Sequence, residues 1–162
     1  MVSFVAAASN SGKTTLIERV IPFIKKRGLR VAVIKHASAG FELDRPGKDS
    51  QRFQDAGADA VVLVGPQNMA LLKKIDREPT WEELAPLISG ADIVICEGFK
   101  RTAKNKIEVF RSAVSGVRPL CLHDPSFIAL ASDTRFAVSI PWFDINDAQG
   151  IAAFLVTSFG AR

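Results

Sequence analysis

Apolar positions along this chain change period several times, and each change marks an element. Val2–Ala8 is a short apolar run suited to a buried strand. From Thr14 onward Leu16, Ile17, Val20, Ile21 and Ile24 fall at helical spacing. Lys25, Lys26 and Arg27 fill the last turn and Gly28 stops it, while Pro22 inside the pattern predicts a kink. Leu29–Lys35 is a second strand candidate, so this strand–helix–strand unit predicts a parallel pair.

A polar stretch, His36–Lys48, precedes a short predicted helix from Asp49 to Ala56 closed by Gly57. Ala60–Val64 and Met69–Lys73 read as strands joined by the turn Gly65-Pro66-Gln67-Asn68. Thr80 and Glu83 form a capping box for a helix running to Ile88. Asp92–Cys96 is a strongly apolar strand. Further strands are predicted at Ile107–Phe110, Pro119–Leu122, Phe127–Ala131 and Ala137–Ile140. Start signals at Asp144–Asp147 introduce a last helix over about Ala148–Ser158. The expectation is one α/β domain over residues 1–162, with a parallel-dominated mixed sheet and helices on both faces.

Composition narrows the class. With 48% hydrophobic and 23% charged residues, the chain has the balance of a soluble globular domain. Its net charge of +4 suits a binder of polyanionic nucleotides but does not by itself argue for nucleic acid. The aromatic residues include eleven Phe and no Tyr, which supplies core mass rather than a base-stacking surface. No apolar run approaches the ~20 residues that span a membrane, and the N-terminus lacks the basic flank of a signal peptide. The expectation is a cytoplasmic protein. Cys96 and Cys121 sit in apolar strand candidates without C-x-x-C spacing. They read as buried free thiols in a reducing compartment, with a disulfide or metal site as the alternative.

The chemistry starts at Ala7–Thr15, A-A-S-N-S-G-K-T-T. This segment ends as the phosphate loop G-x-x-x-x-G-K-[ST] ends, though Ala7 stands where that pattern opens on glycine. In such a loop the backbone N–H groups of Asn10, Ser11, Gly12 and the first helical residues wrap phosphate oxygens at a helix N-terminus. Lys13 would reach the outer phosphates and Thr14 would offer its hydroxyl to Mg²⁺, with Thr15 beside it. The strand before and the helix after supply the required context, so a P-loop NTPase-like fold is expected.

Ligands of open α/β sheets gather at the carboxyl ends of the strands. The second strand delivers Lys35 and His36, then Asp44, Lys48 and Asp49; the Asp92–Cys96 strand delivers Glu97, Gly98, Phe99, Lys100 and Arg101. Asp44 and Glu97 are the candidate carboxylates for Mg²⁺ or for orienting an attacking water, a role for which a nucleotide-bound ion needs few protein ligands. A surface-loop acid is the other reading of Glu97. His36 stands open between phosphate or substrate contact and a loop hydrogen bond. Lys48, Lys100, Arg101, Lys104 and Lys106 are either solvated loop charge or a surface for an anionic ligand or partner. Asn105-Lys106-Ile107-Glu108 imitates the N-K-x-D guanine reader but precedes a strand instead of following one. Asp133, after Phe127–Ala131, is better placed to read guanine; a turn aspartate is the alternative. Asp92 begins its strand, lies at the far edge and reads as structural.

Taken together, six segments resemble the molybdopterin-guanine dinucleotide biosynthesis protein B family. They are Ser11–Leu16 (S-G-K-T-T-L), Val33–His36 (V-I-K-H), Asp44–Arg52 (D-R-P-G-K-D-S-Q-R), Ala56–Ala58 (A-G-A), Glu97–Lys100 (E-G-F-K) and Lys106–Arg111 (K-I-E-V-F-R). Order and spacing agree across about residues 2–140. The resemblance implies a homodimeric P-loop protein that binds GTP with Mg²⁺ and has at most slow GTPase activity. It also implies an accessory role beside a MobA-type nucleotidyltransferase that attaches GMP to molybdopterin. It maps the family's loop onto Ser11–Thr15, its second motif onto Asp44, Pro46, Gly47, Lys48, Asp49, Ser50 and Arg52, and its third onto Glu97–Lys100.

Two departures matter. The family's first and second loop glycines are Ala7 and Asn10 here; Ala7 is tolerated at negative φ, and Asn10 suits a left-handed position. A further histidine that usually follows His36 is replaced within Ala37-Ser38-Ala39-Gly40. Both changes favour binding over efficient hydrolysis. Two other functions fit the same loop: a small-molecule kinase or nucleotidyltransferase with Asp44 as base, and a scaffold that does not hydrolyse nucleotide.

Overall fold

A computed structural model of the chain describes residues 1–38, 40–41, 48–116 and 118–160. The chain divides into two compact units, 1–36 with 88–162, and 37–87.

The larger unit is built on six strands: β1 (Val2–Val5), β2 (Val31–Lys35), β5 (Ile93–Glu97), β6 (Lys106–Phe110), β7 (Phe127–Ser132) and β8 (Trp142–Asp144). They lie in the order β2-β5-β1-β6-β7-β8, and every pairing is parallel. β1 is therefore central, with β5 on one side and β6 on the other. Helices α1 (Lys13–Lys25) and α5 (Ala148–Phe159) pack against each other, and their apolar faces meet the sheet in one core; a single turn, α4 (Ser112–Ser115), follows β6. That core includes Phe4, Leu16, Val20, Ile24, Ile95, Ile107, Val109, Ile151 and Leu155, all essentially inaccessible to water.

Pro22 lies inside α1, as its place in the helical pattern implies, and leaves Glu18 O without its usual i+4 donor. Asp147 caps α5, its carboxylate accepting from Gly150 N at 2.8 Å. At the amino ends of the strands, Asp92 accepts from Arg30 N, Nε and Nη2 at 2.7–3.1 Å. This is the structural role its position implied.

Alternate residues of β6 face opposite ways. Ile107 and Val109 enter the core with α1 and α5, while Lys106, Glu108 and Phe110 face the other side and are also buried. There Glu108 accepts Leu120 N at 2.8 Å and Cys121 N at 2.9 Å, and Lys106 Nζ pairs with Asp124 at 3.1 Å. These bonds correct two sequence expectations and agree with a third reading. Pro119–Leu122 is not a strand: Leu120–Leu122 is a 3₁₀ turn, because one carboxylate gathers two successive N–H groups into it. Lys106 leaves the basic surface cluster, since its side chain is only 6% exposed and is paired. The N-K-I-E imitation reads no base either, since its lysine and glutamate are fasteners inside the sheet.

The strand expected at Ala137–Ile140 is Trp142–Asp144 instead. Pairing with β7 begins at Pro141, whose carbonyl accepts Leu130 N at 2.9 Å, and the indole of Trp142 donates to Ser132 Oγ at 2.8 Å. Cys96 and Cys121 are free thiols. Burial raises both, and with the neighbouring Glu108 carboxylate it pushes Cys121 up to about 12, so both stay neutral.

The smaller unit holds α2 (Asp49–Asp55), the antiparallel hairpin β3 (Ala60–Val64) and β4 (Met69–Lys73), and α3 (Trp81–Leu84). Its capping box forms as expected, Thr80 N donating to Glu83 at 2.8 Å, although the helix passes into a 3₁₀ turn over Ala85–Ile88.

Candidate nucleotide site

At the carboxyl end of β1 the chain turns through residues 6–12 into α1. Asn10 takes φ 60° and Gly12 φ 88°, while Ala7 is not among the positive-φ residues. The two substitutions therefore leave the loop a conformation that its residues adopt at little cost: asparagine tolerates the left-handed region, and alanine is not asked to enter it. Ser11 is wholly buried and ties the loop to itself through Oγ, which donates to Ala8 O at 2.8 Å. Gly12 closes the loop onto α1, its carbonyl accepting Leu16 N at 2.9 Å. The first N–H groups of α1 lie beyond it with no side-chain cap, which leaves the positive end of the helix dipole facing outward.

Lys13 begins α1 half-buried, and no carboxylate among the described residues pairs with it. Thr14 faces β5: its hydroxyl donates to Glu97 Oε1 at 2.8 Å. Glu97 is only 14% exposed, and Lys35 Nζ lies 3.6 Å from its other oxygen. Strand order explains the meeting, since β5 lies between β1 and β2 and ends beside both. A hydroxyl that donates its one proton to Glu97 keeps lone pairs for a cation. Hydroxyl and carboxylate oxygens are the hard donors that Mg²⁺ selects, and an ion carried on phosphates needs few of them. These residues therefore fit a magnesium–nucleotide. Among the described residues no group of three His, Cys, Asp or Glu is close enough to hold a metal alone.

Beyond Glu97 the backbone is twice left-handed, at Gly98 (φ 102°) and Phe99 (φ 56°). The left-handed φ favours glycine at 98, and a side chain there would also put Cβ 3.1 Å from His36 Cβ, a tight approach that His36 would have to yield to. The ring of His36 lies 4.9 Å from that of Phe99, and the backbone N–H of His36 donates to Glu97 O at 2.9 Å. Lys100 and Arg101 follow and are exposed. Strain at a non-glycine residue such as Phe99 is found where function fixes the backbone.

The remaining predicted residues fall elsewhere. Asp133 ends beside β6, its carboxylate accepting Ser112 N at 2.9 Å and Ser112 Oγ at 3.1 Å. Lys48, Asp49 and Arg52 belong to the smaller unit, where Arg52 and Asp49 pair at 3.5 Å on an exposed turn of α2. Asp44 lies outside the described residues, as do Pro46 and Gly47 of its motif. Thr15 is exposed on the first turn of α1. The last residue of the K-I-E-V-F-R segment also stands at the site, where its place in the sequence alone assigns it no role. Arg111, the first residue after β6, extends its guanidinium across the loop glycine. The strand-end rule that selected Glu97 would have found it once β6 was known to flank β1.

A parallel sheet with a left-handed loop leading from its central strand into a helix, and a Thr–Glu pair beside it, defines a P-loop-like α/β fold. Comparisons narrow this class to one family. The family model described as "Molybdopterin guanine dinucleotide synthesis protein B" matches residues 1–133. The chain is 38% identical over 156 residues to the "Molybdopterin-guanine dinucleotide biosynthesis adapter protein" of Escherichia coli, covering 93% of this chain and 89% of the relative. It is 34% identical to the protein of the same name from Haemophilus influenzae, covering 91% and 83%. Among solved structures, it superposes on a molybdopterin-guanine biosynthesis protein B with TM-score 0.77 at 30% identity, covering 98% of this chain and 97% of that one. For Bacillus subtilis MobB the TM-score is 0.72 at 27% identity, with 99% and 98% covered. The chain belongs to the molybdopterin-guanine dinucleotide synthesis protein B family.

Proposed function

We propose that this chain is a GTP-binding adapter in molybdopterin-guanine dinucleotide biosynthesis, holding GTP with Mg²⁺ and hydrolysing it slowly at most. The adapter role follows from the names its relatives carry. The observation that carries the nucleotide reading is the bond from Thr14 Oγ1 to Glu97 Oε1 beside a loop closed by left-handed Asn10 and Gly12. Asn10, Ser11, Gly12 and the N–H groups of Lys13–Thr15 would wrap the phosphates, Lys13 would neutralise them, and Thr14 with Glu97 would hold the ion. Asp44 is the second proposed carboxylate. Asp133 would sit at the base end, where its bonds to Ser112 fix its carboxylate. His36, Lys100 and Arg101 would form a contact surface for the anionic pterin or for a MobA-type nucleotidyltransferase, with Lys48, Asp49 and Arg52 as a further partner surface. We place this chemistry in the cytoplasm; no helix among the described residues is long and apolar enough to cross a membrane.

Calorimetry with GTP, GDP and ATP in Mg²⁺ tests the reading. The expected result is tightest binding of the guanine nucleotides, lost in Lys13→Ala without loss of fold. Absence of heat for all three would leave a nucleotide-independent scaffold, and a phosphorylated pterin among the products would make the chain a kinase.

The homodimer is supported by the hairpin of the smaller unit. Its register pairs Val62 with Leu71 and Val64 with Met69, so four apolar side chains share one face, each 44–78% exposed. Lys73, paired with Ala60, stands at the edge of this face; an exposed apolar patch of this kind can match its own copy about a two-fold axis, and a two-stranded hairpin gains from being covered. A second copy of the chain is its occupant in this proposal.

A further inference from the structure

From the geometry around Gly12 we infer that Arg111 is a second phosphate-binding cation, one that grips the nucleotide on the side of the loop away from the metal. The inference rests on the nucleotide reading above and goes beyond it. Arg111 follows β6 at the carboxyl edge, next to the strand that delivers the loop. Its Nη2 lies 3.4 Å and its Nε 4.0 Å from where a Cβ on Gly12 would stand, so the edge of the guanidinium runs along the loop. The left-handed φ is what calls for glycine here; a Cβ would meet the guanidinium only in ordinary van der Waals contact.

Arg111 is half-buried, yet no carboxylate or other acceptor among the described residues bonds its guanidinium. The acid that leaves the neighbouring strand, Asp133, spends its oxygens on Ser112 N and Oγ instead. That clamp acts on the residue directly after Arg111 and fixes the backbone from which its side chain starts. A partly desolvated guanidinium without an anion, held against a phosphate loop, has the geometry of a preorganised fork for phosphate oxygens.

Strand order separates Arg111 from the proposed ion site: Thr14 and Glu97, which would hold the ion, stand on the β5 side of β1, and Arg111 stands on the β6 side. Its guanidinium lies against Gly12 of the loop, whose backbone in such sites cradles the α- and β-phosphates, so its contact falls on the part of the phosphate chain that GDP retains.

Calorimetric titration of the full chain with Mg-GTP and with GDP tests this in Arg111→Met and Arg111→Lys, beside Lys13→Ala and thermal melts of each. Arg111→Met is expected to weaken GTP and GDP alike, by about 10- to 100-fold, the effect of losing a charge-assisted bidentate contact. Arg111→Lys, which keeps charge but not the fork, should fall between. A weaker GTP with unchanged GDP would overturn the assignment of side. Unchanged affinity for both would overturn the proposal, whether the variant melts lower (a structural role) or hydrolyses more slowly (a transition-state role). If Lys13→Ala loses binding while Arg111→Met does not, this inference alone fails. If the unaltered chain binds neither nucleotide, the nucleotide reading fails with it. Should Arg111→Met not fold, the lysine variant decides on the same terms.

Discussion

Glu108→Gln is a demanding test of how β6 is held. The native carboxylate is fully buried, and its two oxygens accept Leu120 N at 2.8 Å and Cys121 N at 2.9 Å. Glutamine keeps the shape and one acceptor but turns an NH₂ toward the second N–H, so one bond is lost and two donors meet. Removing one charge-assisted bond while stranding its buried partner costs about 2–3 kcal/mol. Glu108→Ala strands both N–H groups and leaves a cavity, for about 3–5 kcal/mol. Urea unfolding followed by circular dichroism measures both. With a slope of about 2 kcal/mol per molar, the midpoint should fall by about 1 M for glutamine and about 2 M for alanine. Neither oxygen touches the loop, so GTP affinity of the folded glutamine variant should stay within about two-fold. A glutamine variant with native midpoint and slope would refute the reasoning, because the two bonds would then contribute nothing net.

Gly98→Ala should destabilise the chain by about 1–3 kcal/mol, from the left-handed φ and the 3.1 Å approach to His36, as read by its urea midpoint. A native midpoint would mean that the turn relaxes freely. Thr14→Val should leave the melting temperature within a few degrees but abolish the Mg²⁺ dependence of GTP binding; retained dependence would remove Thr14 from the ion site. Acid should unfold the chain in a defined window. Hydrogen bonds from Arg77, Arg30 and Ser126 hold Glu83, Asp92 and Asp124 down to about 2. Groups depressed in the folded state add stability above their unfolded pKa values and lose it as pH falls toward the folded ones. The urea midpoint should therefore be flat above about pH 5 and drop between about pH 4 and 2, less steeply in Asp92→Asn. Parallel pH profiles for that variant and the native chain would refute the assignment to Asp92. Val64→Glu should shift sedimentation toward the monomer if the hairpin face joins two copies, and an unchanged dimer would place the interface elsewhere.

The parts of this chain that were legible in advance are those whose chemistry is local. Gly-Lys-Thr between an apolar run and a helical period locates the loop, and the left-handed tolerance of asparagine anticipates φ 60° at Asn10. The rule that ligands gather where strands end points to Glu97, which the structure sets beside Thr14. The failures share a cause: each depended on which strand lies beside which. Lys106 looked like one more exposed cation, because nothing near it in sequence announces the Asp124 that neutralises it. Pro119–Leu122 has strand composition, and a carboxylate twelve residues back on β6 coils it. At 137–142 the apolar pattern favoured the earlier segment, whereas the indole bond from Trp142 to Ser132 sets the pairing register.

The same dependence warns against reading a family motif as one functional unit. In K-I-E-V-F-R the pleat sends Ile107 and Val109 to the core shared with α1 and α5, and sends Lys106 and Glu108 to fasten the opposite face. Only Arg111, past the end of the strand, reaches the loop. In E-G-F-K, Glu97 bonds Thr14, Gly98 and Phe99 supply a backbone turn, and Lys100 is on the surface. Substitutions inside either motif would all lower activity in a crude assay, but through different causes. Loss at Glu108 acts through stability and at Gly98 through the placement of His36 against Glu97, whereas at Arg111 the expected route is the proposed phosphate contact. Affinity and unfolding measured together on one variant from each group would separate these causes, which similarity to a family cannot do.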